Sequence, residues 1–165
     1  MEKLTNIRLM EASEYPLLEN FLYEAIFLPE GVTPPPRDII FLPELQLYIA
    51  GFGTQKADIA VVAEVGGEVI GAAWSRIVND YGHIDNQTPS LSISLYSAYR
   101  NQGIGTKLFQ KLLDQLADEG YEKASLSVQK ANYAAKMYLK MGFRIVKENE
   151  EDYVMVIDLN SANKH

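Results

Sequence analysis

The sequence predicts a mixed α/β domain in which about four helices cover a central sheet of about seven strands. Three observations predict it. Short apolar–polar alternations mark strands, an apolar spacing of three to four residues marks helices, and Gly66-Gly67 between two strand-like runs marks an antiparallel hairpin.

Residues 5–10 alternate and read as the first strand. Ser13 is placed as the N-cap of a helix carrying Leu17, Leu18, Phe21, Leu22, Ala25 and Ile26 on one face and ending at Pro29. Pro34, Pro35 and Pro36 form a stiff connector, and a second helix is expected over 38–50, kinked or restarted at Pro43. Residues 58–65 and 68–78 are the hairpin strands, 79–89 a loop rich in Asp, Asn, Gly and Pro, and 91–96 the next strand. A long helix then carries Ile104, Leu108, Leu112 and Leu116 in one stripe, widened by Phe109 and Leu113, and stops at Gly120. Residues 124–128 alternate again. Asn132 caps a helix with Ala134, Met137, Tyr138 and Met141 along one face and Gly142 at its end. Two strands, 143–146 and 153–159, close the chain around an acidic turn. No repeat or linker divides it, so 1–160 is expected to be one domain and 161–165 a short polar tail.

Composition narrows the function. The 165 residues contain no cysteine, which removes disulfides, thiolate metal sites and cysteine nucleophiles and fits a reducing compartment. The net charge of −7 and the lack of a basic cluster argue against nucleic acid. The N-terminus lacks a signal pattern and no apolar run is long enough to span a membrane, so the expectation is a cytoplasmic protein with no membrane partner.

The chemistry is concentrated at Arg100-Asn101-Gln102-Gly103-Ile104-Gly105-Thr106, a glycine turn between a strand and a helix start. Glycines allow close backbone approach, and the N–H groups of a first helical turn can hold an anion. A dinucleotide fingerprint needs a third glycine where Leu108 stands, and a Walker-type loop needs Gly-Lys where the order is Gly105-Thr106-Lys107, so both are excluded. A turn without any ligand remains the alternative on this stretch alone.

Downstream lies Asn132-Tyr133-Ala134, then Tyr138, then Gly142-Phe143. Together the two segments resemble the acetyl-CoA-binding core of the GNAT superfamily of N-acetyltransferases. In that family Arg/Gln-x-x-Gly-x-Gly/Ala follows the fourth strand, matched by Arg100, Gly103 and Gly105, and a later Asn, Ala, Tyr, Gly-Phe pattern is matched by Asn132, Ala134, Tyr138, Gly142 and Phe143. The likeness covers about residues 58–159; the first fifty residues are only consistent with the family's variable acceptor-side helices.

The resemblance implies a mostly antiparallel mixed sheet with two splayed central strands, one of them 91–96. It implies that acetyl-CoA is the co-substrate, without a metal, and that a primary amine of a small molecule, peptide or protein is the acceptor. The pantetheine arm would bond the backbone of Ile93 and Leu95 like a borrowed strand. The pyrophosphate would sit on the turn formed by Arg100, Asn101, Gln102, Gly103, Ile104, Gly105 and Thr106, and Asn132 would touch the arm. Tyr138 would be the acid that protonates the leaving thiolate. Read by chemistry alone, Tyr138 is a core tyrosine and Asn132 a helix cap. The strand before the turn carries Ser90 where many relatives hold a carboxylate base, so Glu64, His83 and Asp85 are the remaining base or acceptor-site candidates, beside a base acting through water. Without a base, a non-catalytic acyl-CoA-binding regulatory domain is the alternative. Trp74 is expected in the core. A homodimer would form through the closing strands or the first helices.

Overall fold

The computed structural model describes residues 4–78 and 83–159. The expected tail and part of the expected 79–89 loop, Tyr81 included, lie outside the described residues. Seven strands form one sheet: β1 (Thr5–Leu9), β2 (Ile59–Val65), β3 (Glu68–Arg76), β4 (Ser90–Leu95), β5 (Lys123–Gln129), β6 (Arg144–Glu148) and β7 (Asp152–Asp158), in the spatial order β1-β2-β3-β4-β5-β7-β6. Neighbours are antiparallel except β4 and β5, which run parallel. Four α-helices are found among the described residues: α1 (Leu18–Glu24), α2 (Pro43–Gln46), α3 (Ile104–Asp118) and α4 (Ala134–Met141). This is the predicted mixed α/β architecture.

The sheet separates two apolar layers. Val61, Ala63, Ala73 and Leu91 turn toward α3 and α4, whereas Ala60, Val62, Ala72 and Trp74 turn toward α1 and the segments around α2. β2 and β3 are covered on both faces, which is why their sequences read as nearly continuous apolar runs rather than alternations. Every residue of the predicted α3 stripe is buried. Removing one such leucine side chain costs about 2–5 kcal/mol, cavity included. α3 ends as predicted: Gly120 takes φ 97°, and the Tyr121 N–H bonds the Leu116 carbonyl while that of Gly120 bonds Ala117. Trp74 is a core residue, 1% exposed, its indole N–H donating to the Tyr48 carbonyl.

The first helical region departs from expectation. Residues Ala12–Leu17 form a 3-10 helix, with α1 proper only over Leu18–Glu24. Pro16, the fifth residue of this run, lacks the N–H that an α-helix would use there and disfavours a regular α-helix from Ala12. Ser13 is not the cap; Glu11 is, in a capping box whose third residue, Glu14, accepts the Glu11 N–H on its carboxylate at 2.9 Å. Glu14 is held by Arg8 at 2.8 Å, and that hydrogen bond outweighs burial and draws its carboxyl down to about 2. α1 stops at Glu24, short of Pro29, because the chain folds back and the Tyr23 hydroxyl donates to the Pro35 carbonyl at 2.6 Å. The second helix is a 3-10 turn, Arg37–Phe41, followed by α2, with Pro43 restarting the chain at the first helical position.

A buried ion pair fastens this layer to the sheet. Arg76 on β3 grips Asp58 with two bonds, Nε to Oδ1 at 2.9 Å and an Nη to Oδ2 at 2.8 Å, with both side chains almost wholly buried. The other Arg76 Nη donates to the Ala50 carbonyl at 2.6 Å, and the backbone N–H groups of Gly53 and Gln55 donate to Asp58. Burial pushes the Asp58 carboxyl up, but these donors outweigh it and hold the group below its ordinary value. A depressed carboxyl adds stability above its unfolded value, and that stability is lost as pH falls through the folded one. Wild-type protein should therefore weaken in urea titrations as pH falls below about 4, and Asp58→Asn should flatten that part of the curve. Arg76→Met, which strands the buried carboxylate, should lower unfolding free energy at neutral pH by about 3–5 kcal/mol.

Candidate active site

β4 and β5 share a single ladder pair, Ser90 opposite Ser125, reinforced by the Ser125 N–H bonding the Pro89 carbonyl at 2.9 Å. Beyond it the strands part. The register with β3 shows what this leaves exposed. The Tyr96 N–H bonds the Ile70 carbonyl, so by the alternation of an antiparallel ladder Ser94 and Ser92 direct their backbone groups to β3. Those of Ile93 and Leu95 point the other way, into the gap. The sequence-predicted pair thus lines the opening, with one difference: the Leu95 carbonyl accepts the Arg100 Nε at 2.9 Å. The Ile93 N–H and C=O and the Leu95 N–H remain facing the gap. At Gly71, opposite Leu95, a Cβ would lie 2.1 Å from the tip of the Leu95 side chain, which would have to move aside.

The glycine turn sits at the open end. Asn101 at φ 63° and Gly103 at φ 83° coil the backbone so that α3 begins at Ile104 with no side-chain cap. The first backbone bond of the helix is Lys107 to Gly103, so the N–H groups of Asn101, Gln102, Gly103, Ile104, Gly105 and Thr106 have no backbone partner among the described residues. Gly103 needs glycine for its angle alone, as a Cβ there would meet nothing. At Gly105 a Cβ would stand 3.7 Å from Ile93 Cδ1, 3.7 Å from Met137 Sδ and 3.9 Å from Leu95 Cδ1. The start of α3, the end of β4 and one face of α4 therefore converge on one space, which the missing side chain keeps wide.

Tyr138 is on that helix, one residue after Met137. Its ring packs with Phe109 at 5.3 Å and Phe143 at 5.7 Å between centroids. The chain sets this trio through the end of α4: Gly142 takes φ 110° and the Phe143 N–H bonds the Tyr138 carbonyl at 3.1 Å, which turns Phe143 back against the tyrosine. Burial pushes the Tyr138 phenol above its ordinary range. Its hydroxyl has no hydrogen-bond partner among the described residues and is not wholly sealed from solvent. Asn132 caps α4 as read from chemistry alone: its Oδ1 accepts the Ala134 N–H at 2.9 Å. Its amide nitrogen has no partner among the described residues.

Of the three base candidates, one is engaged by an arginine on the neighbouring strand and two lie at the far end of β4. Glu64 is paired with Arg8 at 2.9 Å, near the hairpin. His83 donates from Nδ1 to the Val78 carbonyl at 2.8 Å, and Asp85 accepts the Gln87 N–H at 2.8 Å, which together with Thr88 lowers its carboxyl. Both precede Ser90, at the paired end of β4, whereas the gap opens roughly 17 Å away toward Leu95. A polar cleft of about 700 Å³ lined by Asp85, Thr88, Tyr121 and Lys123 also belongs to that paired end. The carboxylate that does reach the open end is Glu24, whose Oε1 lies 3.2 Å from an Arg100 Nη. Sequence reasoning missed it, because an acid on the polar side of a helix carries no signal until a tertiary partner selects it. Among the described residues no group of three or more His, Asp and Glu side chains gathers as a metal site.

A mixed sheet opened beside its fourth strand, with a free N–H turn at the opening, defines a domain that takes an extended ligand with an anionic end. The chain belongs to the acetyltransferase (GNAT) family, whose model matches residues 22–143, and it is an acyltransferase by that membership. Among solved structures it resembles an N-acetyltransferase from Staphylococcus aureus Mu50, at 21% identity and TM-score 0.69 over 94% of this chain and 99% of that one. It also resembles the PaiA N-acetyltransferase of Thermoplasma acidophilum in complex with coenzyme A, at 18% identity and TM-score 0.69 over 94% and 99%. A third is the ribosomal-protein-S18-alanine N-acetyltransferase of Escherichia coli, at 19% identity and TM-score 0.65 over 94% of each chain. At these identities the likeness is one of fold. A comparison with curated protein sequences gave no match.

Gly142→Ala tests how α4 is held. An L-residue at φ 110° is strained, so the variant should lose about 1–2 kcal/mol in chemical denaturation.

Proposed function

We propose that this protein transfers the acetyl group of acetyl-CoA directly to a primary amine, of a small molecule or of a peptide or protein. The observation that carries the reading is the convergence of gap-facing backbone at Ile93 with the unpartnered N–H groups of the glycine turn. The first can bond an extended amide-bearing arm as a strand would, and the second can hold a pyrophosphate with help from the helix dipole. Thr106 adds a hydroxyl, and Asn132 offers the amide nitrogen that its capping leaves unused. The coenzyme A bound in the Thermoplasma structure supports the same choice of ligand.

In the reaction the amine nitrogen attacks the thioester carbonyl carbon, a C–N bond forms, the C–S bond breaks, and the thiolate takes a proton. Tyr138 is the donor in this reading. Its raised phenol stays protonated throughout the neutral range, and its ring is fixed by Phe109 and Phe143. The amine gives up its proton through water at the open end, since β4 carries no acid. A cytoplasmic setting and one catalytic domain over 1–160 complete the proposal; the absence of cysteine supports the first, and no helix among the described residues is long and apolar enough to cross a membrane.

Acetyl-CoA at a hundred times its Kd should stabilise the protein by about 2.7 kcal/mol in thermal melts, and no shift would sink the reading. Gly105→Val, whose extra carbons crowd Ile93, Met137 and Leu95 and fill the shared space, should abolish that shift, with circular dichroism of the unliganded variant showing that the fold persists. Tyr138→Phe should keep the shift and slow thiol release with an amine by about 10²–10⁴-fold. An unchanged rate would end the acid assignment. Binding without turnover on any amine would favour a non-catalytic acyl-CoA domain.

A further inference from the structure

We propose, resting on the acetyl-transfer reading above and deepening it, that Ser92 holds the attacking amine. Its hydroxyl oxygen accepts a hydrogen bond from the nitrogen at the inner end of the gap, on the face of the sheet turned away from α3 and α4. β4 and β5 are the fourth and fifth strands across the sheet. Strands so central, with cover on both faces, ordinarily read as continuous apolar runs, as β2 and β3 do. β4 and β5 break that pattern. Leu91, Ile93 and Leu95, with Ala124, Leu126 and Val128, pack toward α3 and α4. The alternate positions are Ser90, Ser92 and Ser94 on one strand and Ser125, Ser127 and Gln129 on the other. Register fixes where the β4 serines face, since residues opposite one another in a ladder share a face. Ser92 stands opposite Trp74 and Ser94 opposite Ala72, and both partners turn toward α1 and the segments around α2. The Ser94 hydroxyl accordingly donates to the Phe21 carbonyl of α1 at 2.6 Å.

Ser92 is the β4 hydroxyl placed to meet a ligand. Ser90 is buried at the hinge with Ser125, and Ser94 is buried and engaged by α1. Ser92 is half-buried, has no hydrogen-bond partner among the described residues, and is not wholly sealed from solvent. Two residues past the hinge pair, it would stand level with Ser127 if the parallel ladder continued, but there the strands have parted. Ser127 is exposed and likewise without a partner among the described residues. A ligand with its pyrophosphate on the glycine turn and its arm on Ile93 runs its acyl end inward, from Leu95 toward Ser90, and so past Ser92. Tyr138 reaches the thioester from the α3 and α4 side, and Ser92 from the other. A serine hydroxyl does not deprotonate an ammonium group at neutral pH. It can accept an N–H of the neutral amine and aim the nitrogen lone pair at the carbonyl carbon. As the C–N bond forms and the C–S bond breaks, the nitrogen gives its proton to water, the thiolate takes the Tyr138 proton, and Ser92 is left unchanged.

Two thioethers of coenzyme A read this contact whatever the natural acceptor is. In one the sulfur carries –CH2–CO–NH–CH3, which sets an N–H where the attacking nitrogen would stand; in the other it carries –CH2–CO–O–CH3, with an ester oxygen there. In titration calorimetry the wild type should bind the amide about three- to tenfold more tightly than the ester. Ser92→Thr keeps the hydroxyl and should keep the preference. Ser92→Val has the same shape without the hydroxyl; it should bind the two alike and retain the acetyl-CoA thermal shift. Equal binding of the two by the wild type, a preference that survives in Ser92→Val, or one lost from Ser92→Thr as well overturns the proposal. Absence of the acetyl-CoA shift in the wild type would instead bring down the acetyl-transfer reading, and this inference with it.

Discussion

The structure depends on two parallel strands that touch once and then separate. Ser90 and Ser125 are the hinge of that divergence. On one side β3 holds β4 by a full antiparallel ladder, and on the other β7 holds β5 the same way. Neither strand needs the other to stay ordered, so the sheet tolerates a gap that would otherwise leave polar backbone without partners. Such groups are costly to bury, and they are stable here only because the gap opens to solvent or to a ligand able to satisfy them. Gly71 contributes by leaving room over β3 for part of the Leu95 side chain.

The sheet also divides labour. α3 and α4 form one layer, and they carry the N–H turn, the capping Asn132 and the Tyr138 ring. α1 and the segments around α2 form the other, attached by Arg76–Asp58 at one end and by Arg100–Glu24 at the other. The first link is buried and structural, while the second is exposed and lies at the mouth. A ligand bound from each layer would meet the other only through the gap, which is the geometry a direct transfer between two bound substrates requires.

Much of this was legible in the residues. The α3 stripe, the Gly120 and Gly142 stops, the Gly66-Gly67 hairpin and the buried character of β2 follow from short-range rules that tertiary structure had no reason to override. The glycine turn was legible for the same reason, since it is built from backbone conformation. The first fifty residues were less readable. Pro16 and Pro43 interrupt the apolar periodicity and produce 3-10 turns and restarts whose limits are set by distant partners, such as Pro35 for Tyr23. The direction of the Arg100 side chain and the place of Glu24 were hidden because each is fixed by the other across 76 residues. His83 and Asp85 had suitable chemistry, but nothing in a loop's composition says at which end of the following strand it lies.

The two outer strands give the split sheet a further meaning. β6 breaks register at Val146 and flanks the break with Arg144 and Lys147, while β1 is only five residues long and carries Arg8. Kinked, short and charged edges resist the approach of another polypeptide. The vacancy for an extra strand is therefore internal, and it is a berth with one blind end. From Leu91 to Leu95 it offers about 13 Å of backbone before the strands rejoin at Ser90. A flexible arm of that length can dock and leave by the way it came; a passing protein chain cannot thread through. The fold thus turns the stickiness of an unpaired strand, elsewhere a route to aggregation, into selection by length.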